Sequence, residues 1–480
     1  MTGAGWLAIA LDRGADDPLQ VQLYAGIRDR IVSGLAAPGA VLPPTRAFAA
    51  ELGVSRSTIV GAYEQLTAEG YVHGRRGAGV FVSPLPDAQL TVGSPALPPV
   101  TASTGPAASS IRPFRPGAPD LRLFPHARWS RMIARAWKGG GAAPLADDDP
   151  LGSFRLRRAI AAHLAEWRGV AVEPDGIIIT AGASGALDLA LDAFTSVGDL
   201  VAIENPGYPV LPHLVRSRGR RLGVAAVDRE GISLQNLRSM DDVRMVIATP
   251  SHQFPLGGAL SVGRRAELLR WAAGTGAIVV EDDYDSEFRY AGRPLPALAA
   301  IGGGAPVLYV GTFSKVFWTG LRIGFLAAPG ALADRLREVA TRLGPKASVL
   351  PQEPLAEFIE SGEFARHLRR MRRTYGERLR ALRGLIAELF GPDLLVADER
   401  AAGMHLLARL GPALASRMNA AEAAARAQAA GVSIAPLSRY YSAPPVQEGL
   451  VLGFAAYTEP EMRQAALLLR EALVEHGASE

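Results

Sequence analysis

The chain contains no cysteine among its 480 residues. This absence excludes disulfide bonds, thiolate catalysis and zinc sites built from cysteine. No uncharged apolar run approaches the roughly 18 residues that indicate a membrane-spanning helix. The first residues, Met1–Trp6, lack the basic stretch and apolar core of a secretory signal. We therefore expect a cytoplasmic protein with no membrane partner.

Lysine is almost as scarce as cysteine. The chain has 48 arginines but only three lysines, which are Lys138, Lys315 and Lys346. A primary amine can lose its proton and form an imine with an aldehyde, whereas a guanidinium does neither. A lysine that is kept in an arginine-dominated chain is therefore a candidate for this chemistry.

Polar groups surround Lys315 in the sequence. Thr312 and Ser314 precede it and supply hydroxyls, and Arg322 follows with a fixed positive charge. Such groups suit a phosphate beside the amine. An amine for the aldehyde and a clamp for the anion are what pyridoxal 5'-phosphate (PLP) requires. The alternative is a surface lysine that happens to follow a serine.

A proline-rich stretch divides the chain. Residues 84–111 hold six prolines among many Ser, Thr, Ala and Gly residues and almost no charge. This composition is typical of an extended, semi-rigid linker, although a long ordered loop on a domain surface is the alternative. We predict a DNA-binding domain over residues 18–83, a linker over 84–112 and an effector domain over 113–478.

The N-terminal segment has the pattern of a winged helix-turn-helix. An amphipathic helix covers Leu23–Val32, and Pro43-Pro44-Thr45 starts a second helix that Gly53 ends. Ser55 can cap a third helix. The segment Tyr71–Val82 alternates like a strand pair around a glycine-rich tip, which predicts the wing.

The charges of this segment balance overall, so only their local positions indicate a function. Residues 1–83 contain seven arginines and seven carboxylates, so the segment is neutral overall. Its polar residues nevertheless fall at the two helix starts and the wing tip, where winged helices meet DNA. The predicted DNA-binding residues are Arg46, Ser55, Arg56, Ser57, Thr58, Arg75 and Arg76. The alternative is a helical protein–protein adaptor with solvated arginines.

The C-terminal segment alternates apolar strand-like runs with helical stretches. Continuous apolarity favours a parallel sheet that is buried on both faces in a doubly wound α/β domain. The runs are Ile177–Thr180, Leu200–Ile203, Met245–Ala248, Ala277–Val280, Val307–Val310 and Ile323–Leu326. Ligands in such sheets bind at the carboxyl ends of the strands, and the polar clusters of this segment follow the strands.

One acidic and one aromatic residue at the end of a predicted strand suit the PLP ring. Asp282 could keep the pyridine nitrogen protonated, and Tyr284 could bond the phenolic oxygen. The main alternative is a magnesium site from Glu281, Asp282, Asp283 and Asp285, but no glycine-rich nucleotide loop accompanies it. We therefore predict no metal.

Three further clusters complete the predicted cofactor site. Ala183 and Ser184 lie where a strand meets a helix, so their amides offer an anion site. Tyr208, in a Pro-Gly-Tyr-Pro turn, could stack on the pyridine ring or be an ordinary buried aromatic. His252 could bond the cofactor or be a structural histidine, and the sequence does not favour either reading.

The chain resembles the MocR/GabR-type regulators, a branch of the GntR family. The resemblance lies in Leu42–Arg46, Leu52–Thr58, the glycine-rich wing, Thr249–Gly257, Glu281–Phe288 and Gly311–Gly324. It implies a winged helix-turn-helix (mainly α) joined to an α/β fold-type I aminotransferase-like domain with a smaller C-terminal α+β subdomain. It also implies a head-to-tail homodimer that binds double-stranded promoter DNA.

The resemblance also implies roles for individual residues. Lys315 would hold PLP as a Schiff base, and Asp282 would face the pyridine nitrogen. Tyr208 would stack on the ring, and Arg322 would bind the phosphate. The chain is then a PLP-dependent transcription regulator, and an active aminotransferase with an added DNA-binding domain is the alternative.

The carboxylate-binding arginines of related proteins are missing. GABA-sensing relatives carry an arginine where this chain has Val210, and aminotransferases of this fold carry one on the late strand Leu450–Phe454. We therefore expect no response to GABA. The predicted signal is PLP itself, or an amine or amino acid bound through another cation, for which Arg439 is the candidate.

Overall fold

The computed structural model describes residues 9–15, 17–75, 77–84, 112–139, 149–291, 296–302, 304–344, 347–400 and 402–474. The chain forms two compact units, Met1–Ser109 and Ser110–Glu480. Most of the proposed linker, residues 85–111, lies outside the described residues, so the exact domain boundaries stay a prediction. Within the described residues, no helix is long and apolar enough to cross a membrane.

The N-terminal unit is a winged helix, as the sequence predicts. Three helices pack around a small apolar core, and an antiparallel strand pair forms the wing. The elements are α1 (Leu19–Val32), α2 (Thr45–Leu52), α3 (Arg56–Ala68), β1 (Val72–Arg75) and β2 (Gly79–Val82). Leu23, Phe48 and Leu66 are fully buried in this core. Gly53 ends α2 with a left-handed φ of 62°, and Ser55 caps α3 by accepting from the Thr58 amide at 3.2 Å.

An eight-stranded mixed sheet forms the centre of the second unit. Its order is β3-β10-β9-β8-β7-β4-β5-β6. The strands are β3 (Ile177–Thr180), β4 (Leu200–Asn205), β5 (Arg221–Asp228), β6 (Gly231–Ile232), β7 (Val243–Ala248), β8 (Ile278–Asp283), β9 (Val307–Thr312) and β10 (Gly324–Ala327). Five neighbouring strands, β9, β8, β7, β4 and β5, run parallel.

The expectation of a parallel sheet fails at one strand. The predicted run Ile323–Leu326 forms β10, which lies antiparallel to both β9 and β3. The connection from β9 to β10 contains only the short 3-10 helix Thr319–Leu321 and no crossover helix. Because a parallel neighbour needs a long crossover, the chain can only turn back along the edge of β9.

Helices cover both faces of the sheet and build the remainder of the unit. They are α4 (His126–Gly139), α5 (Phe154–Arg168), α6 (Gly182–Phe194), α7 (Leu211–Ser217), α8 (Leu234–Arg238), α9 (Val262–Thr275), α10 (Leu298–Ile301), α11 (Gly330–Leu343), α12 (Gln352–Glu360), α13 (Glu363–Leu389), α14 (Gly391–Leu394), α15 (Pro412–Ala415), α16 (Ala420–Ala429) and α17 (Glu459–Val474). The strands β3, β7, β8 and β9 are almost wholly buried, because helices pack on both sides of them.

A second, four-stranded sheet forms the smaller C-terminal subdomain. Its order is β11-β12-β14-β13, and all its pairs are antiparallel. The strands are β11 (Leu395–Ala397), β12 (His405–Leu410), β13 (Ala435–Pro436) and β14 (Leu450–Gly453). Helices α13, α16 and α17 contribute buried residues to the same apolar core as this sheet. The predicted fold class, including the α+β subdomain, is therefore confirmed.

Candidate cofactor cavity and DNA-binding surface

A cavity of about 490 Å³ lies at the carboxyl ends of the central strands. Lys315 reaches it from the loop after β9, Asp282 from β8, Ser184 from the start of α6 and Tyr208 from the turn after β4. The cavity is also lined by Ala183, Tyr284, Thr312, Ser314, Arg322 and Arg439. Nine of the ten predicted cofactor residues, together with the effector candidate, therefore line one cavity.

Lys315 is held with its amine inside the cavity. Its Nζ donates to the backbone carbonyl of Gly117 at 3.2 Å. Burial lowers the pKa of the Lys315 amine, while the carboxylates of Asp285 and Asp282 oppose that shift and Arg115 adds to it. A lowered pKa makes the neutral, nucleophilic form of the amine available closer to neutral pH.

Asp282 carries a buried oxygen that no neighbour satisfies. Its side chain is almost fully buried, and its Oδ1 has no hydrogen-bond partner among the described residues. Burial raises the pKa of Asp282 to about 7, with the negative charges of Asp283 and Glu204 adding to the effect. A buried carboxylate without a partner is costly, so the site fits a ligand that supplies a donor, as a protonated pyridine nitrogen does.

The start of α6 forms the anion-binding end of the cavity. A Cβ built on Gly182, the first residue of α6, would lie 3.9 Å from the guanidinium of Arg322. A Cβ on Gly324 would lie 2.6 Å from the Gly182 carbonyl carbon, so only glycine lets β10 approach the helix this closely. Arg322 itself has a left-handed φ of 52°. Helix amides, the helix dipole and a guanidinium thus meet at one point, which suits a phosphate.

The hydroxyl residues of the predicted phosphate site, Thr312 and Ser314, line the same cavity. The Ser314 backbone amide donates to Thr312 Oγ1 at 3.2 Å, which orients the Thr312 hydroxyl at the end of β9, three residues before Lys315. Burial raises the pKa of the Tyr208 hydroxyl, and a hydrogen bond with Ser184 opposes that shift. Tyr208 is half-buried in the cavity wall, where its ring can pack on a planar ligand.

His252 is the predicted cofactor residue that does not line the cavity. Its Nδ1 lies 2.8 Å from Oδ1 of Asp285 and 2.8 Å from the hydroxyl of Tyr284, both of which face the cavity. A Cβ on Gly403 would overlap the His252 ring, so the ring occupies space that only glycine leaves open. His252 therefore contacts two residues of the cavity wall, Asp285 and Tyr284, and its direct contact with the cofactor stays a prediction.

Arg115 lines the cavity, although its sequence pattern did not single it out. It lies far before the strands that carry the other cavity residues, and its local sequence, Phe114-Arg115-Pro116-Gly117, is ordinary loop sequence. The signal that could have found it is the Pro-Gly pair, which marks a turn. The fold brings that turn to Lys315 through the contact with the Gly117 carbonyl.

The acidic residues of β8 face different sides of the sheet. Among the described residues, no three histidine or acidic side chains are placed to hold a metal ion. Alternate residues of a strand face opposite sides of a sheet. Asp282 lines the cavity, whereas Asp283 pairs with Arg168 Nε at 2.9 Å, away from it.

The predicted DNA-binding residues lie at the starts of two helices and on the wing. Arg46 and Arg56 are exposed in the first turns of α2 and α3, and Arg56 Nε contacts Thr45 Oγ1 at 3.4 Å. Arg75 is exposed at the end of β1, with its guanidinium 5.0 Å from the Phe81 ring centroid. Arg76 lies outside the described residues.

The three hydroxyl residues of this surface form one cluster. Ser55 Oγ lies 2.7 Å from Ser57 Oγ and 2.8 Å from Thr58 Oγ1. The cluster caps α3 and leaves Ser55 and Ser57 exposed at the helix start. An exposed helix start with hydroxyls and arginines is suited to contact phosphates and base edges.

Two family descriptions match this chain. Residues 19–82 match the bacterial regulatory proteins of the gntR family. Residues 149–467 match the aminotransferase class I and II family. The first range covers the winged helix, and the second covers the strands that surround the cavity.

Similar proteins span the whole chain. The probable rhizopine catabolism regulatory protein MocR of Rhizobium meliloti is 37% identical over 97% of this chain and 96% of its own length. The HTH-type pyridoxine biosynthesis transcriptional regulator PdxR of Corynebacterium glutamicum is 33% identical over 95% of this chain and 96% of its own length.

Solved aminotransferase structures resemble the second unit. The α-aminoadipate aminotransferase LysN of Thermus thermophilus, complexed with N-(5'-phosphopyridoxyl)-L-leucine, has a TM-score of 0.67 and 28% identity. It covers 75% of this chain and 92% of its own. The kynurenine aminotransferase of Pyrococcus horikoshii has a TM-score of 0.69 at 24% identity, covers 78% of this chain and 93% of its own, and shows the shared fold.

Proposed function

We propose that this chain, which belongs to the MocR-type branch of the GntR family of bacterial regulators, regulates transcription from promoter DNA. Its proposed signal is PLP, or a small amine or amino acid that meets PLP in the cavity. The relatives that span the whole chain are named as HTH-type transcriptional regulators or regulatory proteins. The finer proposal is that Lys315 binds PLP covalently.

The observation that carries this proposal is the pairing of Lys315 with Asp282 in one cavity. One residue offers a primary amine with a lowered pKa, and the other offers a buried carboxylate oxygen without a partner. When bound, PLP supplies an aldehyde that reacts with primary amines and a ring that accepts electrons. The phosphopyridoxyl group of the LysN complex supports PLP as the ligand of this fold.

Each cavity residue has a proposed task. With PLP bound, Lys315 Nζ would be the amine that holds the cofactor, Asp282 would accept a hydrogen bond from the pyridine nitrogen and Tyr208 would pack on the ring. Tyr284 would donate its hydroxyl to the phenolic oxygen. The phosphate would be held by the amides of Ala183 and Ser184 at the start of α6, the hydroxyls of Thr312 and Ser314, and Arg322.

The DNA-binding unit is proposed to act as one half of a dimer. A winged helix reads a short site through its recognition helix, and two copies read paired half-sites. Here α3 is the recognition helix, with Arg56 at its start, and Arg75 lies on the wing. The head-to-tail arrangement of the two subunits is part of the proposal.

An aminotransferase activity is the second candidate. It is favoured by the lowered pKa of Lys315, because a neutral amine in this cavity can also move a proton. PdxR is named for regulating pyridoxine biosynthesis and MocR for rhizopine catabolism, which favours a regulatory role for this cavity.

DNA binding with and without PLP tests the proposal. Binding of the full-length protein to the promoter region upstream of its own gene is measured at increasing PLP concentrations. We expect PLP to change the Kd of the wild type and of Lys138→Ala, but not that of Lys315→Ala. Equal Kd values at all PLP concentrations, together with steady-state transamination, would favour the aminotransferase instead.

A further inference from the structure

We infer that the effector is a primary amine with two acidic groups, which Arg115 and Arg439 hold at the solvent-exposed side of the Lys315 cavity. Both arginines line this cavity and both are exposed. The inference rests on the proposed function, because it concerns the molecule that the cavity recognises in addition to PLP.

Arg115 is displayed by a strained and firmly anchored loop. The residue before it, Phe114, is fully buried and has a left-handed φ of 66°, which is rare and costly for a bulky side chain. Gly453 donates its amide to the Phe114 carbonyl at 2.8 Å, and Arg115 donates its own amide to the Tyr457 hydroxyl at 3.1 Å. A Cβ on Gly453 would overlap the Arg115 carbonyl.

These contacts indicate that the position of Arg115 is built into the fold. Strained backbone persists only where the surroundings hold it, and it is concentrated at functional sites. The anchored backbone directs an otherwise solvent-exposed guanidinium to the cavity, close enough for its charge to lower the pKa of the Lys315 amine.

Arg439 is displayed by a second anchored segment. It lies on the 3-10 helix Leu437–Tyr440, whose Leu437 is fully buried. The Tyr440 carbonyl accepts from the Gly207 amide at 3.0 Å, which ties this helix to the turn that carries Tyr208. The Tyr440 ring packs edge-on against Phe254 at 5.1 Å. The segment is therefore anchored by buried contacts, and Arg439 is its exposed member.

Neither guanidinium has a hydrogen bond or an ion pair with any other described residue. Two buried arginines of this unit are paired with carboxylates, Arg168 with Asp283 and Arg378 with Asp120. Two arginines that line one cavity without a carboxylate partner among the described residues can bind an anionic ligand.

The other charges of the cavity would face PLP or already contact a protein group. Arg322 and the start of α6 would face the phosphate, which carries about two negative charges. Asp282 would face the pyridine nitrogen, and Asp285 lies 2.8 Å from His252. His405, also in the wall, is neutral near pH 7 because burial lowers its pKa to about 4.

Arg115 and Arg439 are therefore the two cavity cations for which the effector would have to supply partners. An effector with two carboxylates would neutralise both arginines. It would also need a primary amine that can take the place of the Lys315 amine. With PLP bound, the effector amine would take the place of Lys315 Nζ at the aldehyde carbon, and Lys315 would be released as a free amine, so the exchange would consume no water, oxidant or reductant. Amino acids with two carboxylates, such as glutamate and aspartate, have this chemistry.

Calorimetric titration of the full-length, PLP-loaded protein tests the inference. The probes are L-glutamate with two carboxylates, L-alanine and γ-aminobutyrate with one, and n-propylamine with none. We expect L-glutamate to bind about tenfold or more tightly than L-alanine, because each hydrogen-bonded charge pair contributes measurably to affinity. The affinity for n-propylamine is expected to be the weakest.

Matched arginine variants assign the preference to the two residues. Arg115→Gln and Arg439→Gln are each expected to weaken L-glutamate binding about tenfold or more. Arg216→Gln, an exposed arginine in the last turn of α7, is the control and is expected to change nothing. The same variants are also scored for whether L-glutamate still changes DNA binding.

The outcomes separate this inference from the proposed function. Equal affinity for all four probes, or an unchanged glutamate preference in both arginine variants, overturns the inference while PLP loading and DNA binding stand. Failure of the wild type to load PLP at all overturns the inference and the proposed function together.

Discussion

The imidazole Nδ1 of His252 lies 2.8 Å from the Asp285 carboxylate and 2.8 Å from the Tyr284 hydroxyl. Nδ1 carries either one hydrogen or one lone pair, and the two neighbouring oxygens share it. Both partners line the cavity that contains Lys315, so His252 links two residues of the cavity wall.

We predict that Asp285→Asn shifts the reactivity of Lys315 to lower pH. Burial lowers the pKa of the Lys315 amine, and Asp285 is the largest opposing influence. Removal of that negative charge lowers the pKa further, so the amine becomes neutral at a lower pH. The measurement is the rate of PLP incorporation as a function of pH, with Asp334→Asn, on the exposed face of α11, as the control. An unchanged midpoint in Asp285→Asn would contradict the assignment.

Asp282 is predicted to make ligand binding depend on pH. In the free protein its pKa is raised to about 7, so the carboxylate is protonated increasingly as the pH falls below 7. A ligand that donates from a protonated ring nitrogen binds the ionised form, so its affinity falls as pH decreases through that range. The ligand is 4-deoxypyridoxine 5'-phosphate, which lacks the aldehyde and does not react with Lys315.

Comparing the wild type with Asp282→Asn removes the effect of the ligand's own protonation, because both proteins bind the same ligand at each pH. We expect the variant to bind this ligand more weakly at pH 8, and the ratio of the two Kd values to shrink at pH 6. A ratio that is constant between pH 6 and pH 8 would exclude Asp282 as the pyridine partner.

Gly403→Ala is predicted to destabilise the protein and impair the cavity. Gly403 has a φ of 76°, and a Cβ there would overlap the His252 ring. We expect a loss of about 2 kcal/mol or more in the free energy of unfolding, from left-handed backbone strain and overpacking. The control is Gly274→Ala in α9, where a Cβ meets no atom within 4 Å, and a gain of about 0.5 kcal/mol is expected there. Denaturant unfolding of both variants measures the difference, and equal effects would contradict the account.

The winged helix predicts a salt-dependent loss of DNA affinity. Each phosphate contact that is lost lowers the slope of log K against log salt by about one. Arg56→Ala and Arg75→Ala are expected to weaken binding in this way. Arg28→Ala is the control, because Arg28 on α1 is paired with Asp29 at 2.8 Å. Unaltered affinity and slope in the Arg56→Ala, Arg75→Ala double variant would refute the DNA surface.

Much of the cavity could be predicted because strand ends are visible in sequence. Lys315, Asp282 and Tyr208 each follow a buried apolar run, and the carboxyl ends of parallel strands meet at one edge of a sheet. The direction of β10 could not be read from its apolar residues, because burial on both faces looks the same in either orientation. It is determined by the short connection from β9.

Long-range contacts explain what sequence reasoning missed. The loop of Arg115 reaches the cavity because Phe114 and Gly453 bond across 339 residues of chain, from position 114 to 453. The His252 ring lies outside the cavity lining, in space that is open because Gly403 has no Cβ. Neither contact has a local signature, because the residues that determine it lie on distant elements.

Mapping the covalent PLP adduct tests the central claim most directly. The purified, PLP-loaded protein is reduced with borohydride, digested, and the modified lysine is identified by mass spectrometry. The account predicts that Lys315 carries the reduced adduct in the wild type and in Lys138→Ala, and that Lys315→Ala carries none. An adduct on Lys138 or Lys346 in the wild type, or a full adduct in Lys315→Ala, would contradict the account.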